Sequence, residues 1–234
     1  MPRGPRRILI DVLTPSRLSI MKALLLFAAF GMYQLCATTP CAAEEVTPQA
    51  RRMIEAIDAM NVEQHWPAGQ HVHWESGKPD GKPETGAGKH THCSAFVAAA
   101  AKLLGVYILR PPEHPQLLLA NAQFDWLANA GAQHGWQTVG DALDAQRYAN
   151  RGDLVVAAYR NHHDDKPGHI AIVRPSNKSA AAIRNEGPDI TQAGTINYRI
   201  TTLERGFAGH PAAWSRKEVQ FYRHAVEAVA AVQR

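Results

Sequence analysis

One thiol and one imidazole stand out as the residues able to do chemistry in this 234-residue chain. Cys93 begins the run Cys93-Ser94-Ala95-Phe96-Val97, after which Ala100, Leu103 and Leu104 continue an apolar pattern at helical spacing. A thiol in a helix's first turn meets unpaired backbone N–H groups and the positive end of the helix dipole, and both favour the thiolate. His169 begins Gly168-His169-Ile170-Ala171-Ile172-Val173, a β-branched strand pattern in which His169, Ala171 and Val173 share a face. If that strand lies against the helix start, the pair would perform acyl transfer. His169 takes the thiol proton, the thiolate attacks a carbonyl, and the imidazolium protonates the leaving amine. The first-turn N–H groups, that of Cys93 included, would hold the oxyanion. A base also needs an acceptor for its second ring nitrogen, and the candidates are Asn185, Glu186 and Gln192. The opposing reading is structural, since an isolated cysteine on an apolar helical face is commonly a small buried hydrophobe.

The elements that must hold this pair can be read around it. Thr91 is a candidate cap and Gly105 a candidate stop for the Cys93 helix. Thr47-Pro48 predicts a helix through about Met60, and Pro115 predicts another through about Ala130. A short helix is expected over Val139 to Tyr148. After Arg151 the pattern turns β-branched, with strands over Asp153–Tyr159 and His169–Val173. Weaker strand candidates are Ala180–Arg184, Asp189–Ala193, Ile196–Ile200 and Val219–Tyr222. Helices followed by a strand-rich half predict an α+β fold. The aromatic stretch from His65 to Asp80, with Trp66 and Trp74, either lines a cleft or fills core. Gly77 to Gly88 reads as a loop and lacks the Gly-Lys-Ser/Thr ending of a phosphate-binding loop.

The leader sets the compartment. Met21-Lys22, an uncharged apolar run from Ala23 to Gly31, and Cys41-Ala42-Ala43 form a signal-peptide pattern over residues 1–43, with Met21 as an alternative start. An uncleaved anchor is the other reading of that run, and it alone would attach the chain to a membrane. Cleavage removes Arg3, Arg6, Arg7, Arg17 and Lys22, leaving 20 of 25 basic residues, and Asp11, leaving 20 of 21 acidic ones. The mature chain is then near neutral, so the basic balance is no argument for nucleic acid. Cleavage also leaves Cys93 as the one remaining cysteine. An exported chain with one unpaired thiol suggests a nucleophile or an inert buried group rather than a disulfide framework.

Four motifs in order carry a family resemblance: Cys93-Ser94-Ala95-Phe96-Val97, Gly152-Asp153-Leu154-Val155, Gly168-His169-Ile170-Ala171-Ile172-Val173 and Ile190-Thr191-Gln192-Ala193. Over about residues 85–200 the chain resembles the NlpC-type cell-wall cysteine peptidases and their CHAP amidase relatives. The resemblance implies a papain-like α+β core, with the nucleophile at a helix N-terminus packed on a small antiparallel sheet. It implies Cys93 as nucleophile, His169 as base and Gln192 as third polar residue; a CHAP-like arrangement would use Asn185 or Glu186 instead. It implies hydrolysis of amide bonds in peptidoglycan stem peptides by a secreted or periplasmic enzyme without a cofactor. His92 stands where the family commonly has an acidic residue. Residues 44–84 are expected as an N-terminal helix and loop extension, and 85–234 as the hydrolase domain. Two rivals accompany this expectation. One is a metal-dependent hydrolase using His162, His163, Asp164, Asp165 and His169, with His90 and His92 beside Cys93. The other is a non-catalytic papain-like domain that binds cell wall or a partner.

Overall fold

Strands whose residues alternate between two apolar faces organise the fold. The computed structural model describes residues 45–83 and 90–227; the expected leader and the end of the glycine-rich loop lie outside them. Among the described residues six strands form one sheet: β1 (Gln137–Val139), β2 (Leu154–Tyr159), β3 (His169–Val173), β4 (Asp189–Gln192), β5 (Tyr198–Thr202) and β6 (Gln220–His224). Their order is β1-β6-β2-β3-β4-β5, and every neighbouring pair is antiparallel. Leu154, Val156, Ala158, Ile170 and Ile172 join one buried cluster, and Val155, Ala157, Ala171, Val173 and Ile190 join the other. Period-two alternation therefore builds two cores from one sheet.

Helices α1 (Pro48–Asp58), α2 (Cys93–Leu103) and α3 (Leu119–Asn129) supply the first core. Helix α4 (Ala142–Arg151), with α6 (Leu203–Gly206) and α7 (Pro211–Ser215), supplies the second, and α5 (Ala180–Glu186) packs against α4 and α6. The architecture is α+β: helices packed on an antiparallel sheet.

Helix α2 is the buried axis. Every residue from Cys93 to Ala101 is buried. Its alanines leave little side chain between the helix and β3, so the two backbones come close. Leu103 points away from this packing and is 54% exposed. Gly105 adopts φ +72°, and the Val106 N–H donates back to the Ala101 carbonyl, closing the helix with the left-handed residue this ending requires.

Residues 45–83 are built into the same core as α2. Met53, Ile57, Val62, Trp66 and Val72 belong to its cluster. Trp66 is core rather than cleft wall: it is 1% exposed, meets Phe96 edge-on at 5.2 Å between ring centres, and donates its indole N–H to the Trp74 carbonyl.

Several expected boundaries move for local reasons. Ala180–Arg184 is helical, not a strand, because Ser179 caps the Ala182 N–H and alanines follow. The helix expected from Pro115 starts at Leu119, after Leu118 turns left-handed at φ 54°. The helix expected from Val139 starts at Ala142, capped by Asp141, while Val139 ends a short strand that its polar neighbours concealed. Thr91 does not cap α2; His92 occupies that position and makes no side-chain cap.

An ion pair locks α1 to the strands. Arg174 donates through Nη1 to Asp58 Oδ1 at 2.6 Å and through Nη2 to Oδ2 at 3.0 Å. Nη1 also reaches the Thr191 hydroxyl at 2.7 Å, so one guanidinium joins α1, the end of β3 and β4. Its side chain is 8% exposed. Breaking one partner of a buried pair leaves the other charge uncompensated. Arg174→Ala is expected to lower stability by on the order of 3 kcal/mol in urea unfolding, against less than about 1 kcal/mol for Arg147→Ala, whose pair with Asp144 is exposed.

Candidate active site

The first turn of α2 meets the first residues of β3. Cys93 is the opening residue of the helix, and its sulfur lies in hydrogen-bonding contact with the N–H of Ile170, the residue after His169. The N–H groups of Cys93 and Ser94 and the Thr91 hydroxyl also face the sulfur. Thr91, expected as a helix cap, thus serves the thiol instead. These donors would stabilise a thiolate, but burial outweighs them and pushes the thiol above its ordinary value. Helix position alone had suggested the opposite direction. His169 is likewise buried, and burial lowers its proton affinity, with Gln192 partly opposing. The resting groups are therefore a neutral thiol and a neutral imidazole.

His169 begins β3, and Gln192 ends the neighbouring β4. Gln192 Oε1 accepts from His169 Nε2 at 2.7 Å. The amide's orientation follows from its other end, where Nε2 donates to the Ile196 carbonyl at 3.3 Å. With Nε2 carrying its proton toward Gln192, Nδ1 is the ring nitrogen with a free lone pair. The ring stacks edge-on against Phe207 at 4.6 Å between centres, which fixes its plane.

Two glycines clamp the Gln192 amide. A Cβ on Gly206 would fall 2.7 Å from Gln192 Oε1 and 2.5 Å from Ile190 Cδ1. A Cβ on Gly194 would fall 2.9 Å from Gln192 Nε2. Gly194 is itself held, its N–H donating to Asn197 Oδ1, while Asn197 Nδ2 donates to the carbonyls of Val62 and His65. Gly168 permits a similar approach before His169, since its Cβ would fall 2.2 Å from the Tyr159 carbonyl oxygen. Asn121 on α3 braces that loop, donating to the Lys166 carbonyl and accepting from the Asn161 N–H.

The other predicted residues lie elsewhere. Asn185 and Glu186 sit on α5: the Asn185 carbonyl accepts from Trp214, and Glu186 pairs with Lys178. Neither contacts His169; a helix where a strand was expected removes both from the site. His92 is buried and its Nε2 meets the Gln70 carbonyl at 2.8 Å, tying residues near 70 to the start of α2. The polar loop His162 to Asp165 is dispersed into surface pairs: His162 with Glu218, and Asp164 with Arg160. Among the described residues no three His, Cys, Asp or Glu side chains converge to hold a metal ion.

Cys93, His169 and Gln192 border one cavity of about 630 Å³. It lies across the end of the sheet, so the thiol enters from the α2 side and the imidazole from the Phe207 side. Also on its wall is a second imidazole, His210, pushed down to about 4 by burial and by nearby His169, with ring centres 6.1 Å apart. Nothing in the spacing of His210, Arg205, Tyr198, Asn197, Gly194 or Gly206 marked them as site residues. Among the described residues no helix is long and apolar enough to cross a membrane. No family model matches this chain, and no curated protein matches it.

Two measurements test this geometry without requiring turnover. The His169 ring is expected to titrate below 6.5 by NMR, and Gln192→Glu to raise its midpoint by about 1–3 units, since a carboxylate favours the imidazolium. Gly206→Ala is expected to abolish the hydrogen-bonded Nε2 proton resonance of His169 and to cost about 1–3 kcal/mol of stability through overpacking. An unchanged resonance would mean the amide tolerates the methyl group.

Proposed function

We propose that this chain is an exported papain-like cysteine hydrolase that cleaves amide bonds in peptidoglycan stem peptides. One observation carries the reading: a helix-first thiol and a strand-first imidazole, the latter held by Gln192 at 2.7 Å, border the same cavity. The substrate class comes from the resemblance of the four ordered motifs to NlpC-type and CHAP cell-wall enzymes.

In this reading His169 acts through Nδ1, because its other nitrogen is engaged by Gln192. Substrate binding displaces water, and the Cys93 thiol passes its proton to His169 as sulfur attacks the amide carbonyl. The N–H groups of Cys93 and Ser94 lie at the helix start, where negative charge develops on the carbonyl oxygen. The imidazolium then protonates the leaving amine, giving a thioester. Water, deprotonated by the same imidazole, releases the acid and restores the thiol. A neutral resting pair suits this sequence, since charge separates only as the reaction proceeds. Gln192 holds the ring in one tautomer without adding a charge.

A second reading, a non-catalytic cell-wall or partner-binding domain of the same architecture, draws on the burial of the thiol, which leaves Cys93 3% exposed. Both are separated by digesting purified peptidoglycan and identifying products by mass spectrometry. Cys93→Ala and His169→Ala are each expected to reduce product formation by about a thousandfold or more with unchanged far-UV circular dichroism, and Gln192→Ala by about ten- to a hundredfold. Wild-type protein that releases nothing, with a thiol inert to iodoacetamide at neutral pH, would favour the binding domain.

A further inference from the structure

We infer that Arg205, supported on Tyr198, forms a subsite for a free carboxylate on the peptide that occupies the cavity; this rests on the hydrolase reading for its substrate class. Three observations converge on the pair. First, β4 and β5 are in register so that Gln192 pairs with Tyr198, which brings the tyrosine alongside the residue holding His169. Second, the Arg205 guanidinium lies over the Tyr198 ring at 5.1 Å from its centre, and both residues border the cavity that holds Cys93 and His169. Third, Arg205 directly precedes Gly206, whose backbone abuts the Gln192 amide. The cation is therefore built onto the same segment that fixes the base.

Its place is what distinguishes it. Arg160, Arg174, Arg199 and Arg223 each pair with a carboxylate. Among the described residues Arg205, like Arg110 on Tyr107, has no carboxylate partner, but of the described arginines it alone borders the cavity. The aromatic face orients the planar fork while leaving its N–H edges available. A carboxylate fits that fork with two parallel hydrogen bonds, which a point cation would not match. Asp165 is the one carboxylate on the cavity wall, and it disfavours an anion beside it. The cavity so described accepts a peptide with one carboxylate close to the amide that Cys93 would attack.

The test compares two synthetic peptides, L-Ala-γ-D-Glu-L-Lys with its C-terminal carboxyl amidated, and the same peptide with the α-carboxylate of its glutamate amidated as well. Binding to the full-length Cys93→Ala variant is measured by calorimetry, and hydrolysis by the wild type is followed separately. The acid form is expected to bind at least about tenfold more tightly than the amide, as a charge-assisted bidentate contact would give. Arg205→Gln in the Cys93→Ala background should bring that ratio close to one, and Arg205→Lys should retain only part of it. A ratio near one in Cys93→Ala itself, no binding of either peptide, or a ratio unchanged by Arg205→Gln would overturn the subsite. Hydrolysis of both peptides without preference would reject the subsite and leave the hydrolase standing. Discriminating binding with no hydrolysis would keep the subsite and reject the hydrolase.

Discussion

The close approach of α2 to β3 is the constraint on which the site depends. A helix of small residues settles against the sheet, and its first turn thereby reaches the N–H of Ile170. Larger residues along the alanine face would lift the helix and withdraw the sulfur from the strand. The same burial that makes this contact possible suppresses charge on both the thiol and the imidazole. Packing and protonation state are thus one property of the site, since the site cannot be opened to solvent without altering both.

A second layer of control lies in how the imidazole is held. His169 is gripped by a neutral amide, and that amide is gripped by glycine backbone on both sides. The restraint continues outward through Asn197 to the carbonyls near residue 65, and through Arg174 to Asp58 on α1. The segment before the thiol therefore braces both the start of α2, through His92 and Gln70, and the strands that hold His169. This explains how residues 45–83 can be integral to the fold while contributing none of the chemical groups themselves.

The sequence made the principal elements legible where pattern and chemistry agreed. The α2 start at Cys93, the β3 start at His169 and the β2 run were evident from periodicity and β-branching, because a buried helix and buried strands leave those marks. Failures came where tertiary context decides. Ala180–Glu186 is alanine-rich and capped by Ser179, yet its position among strands suggested a strand. Tyr198–Thr202 is half exposed at the sheet edge and shows weak alternation. Gln192, Asn185 and Glu186 were equal by spacing; the helix over Ala180–Glu186 removes two of them, and pairing of β4 with β3 brings Gln192 beside His169. The roles of Thr91, Gly194, Gly206 and Arg205 depend on contacts between segments, which no local pattern encodes.

Strand order carries a consequence for how this protein comes into being. The last strand, β6, does not sit at an edge; it lies between β1 and β2. Until it arrives, β2 presents an unpaired backbone edge and β1 has no partner, so a growing or partly threaded chain exposes a sticky border. Both pairings of β6 join distant parts of the chain, which slows their formation, whereas the pairings from β2 to β5 join consecutive strands. The sheet is therefore completed only when Gln220–His224 joins it, after the strands on either side of its place have been made.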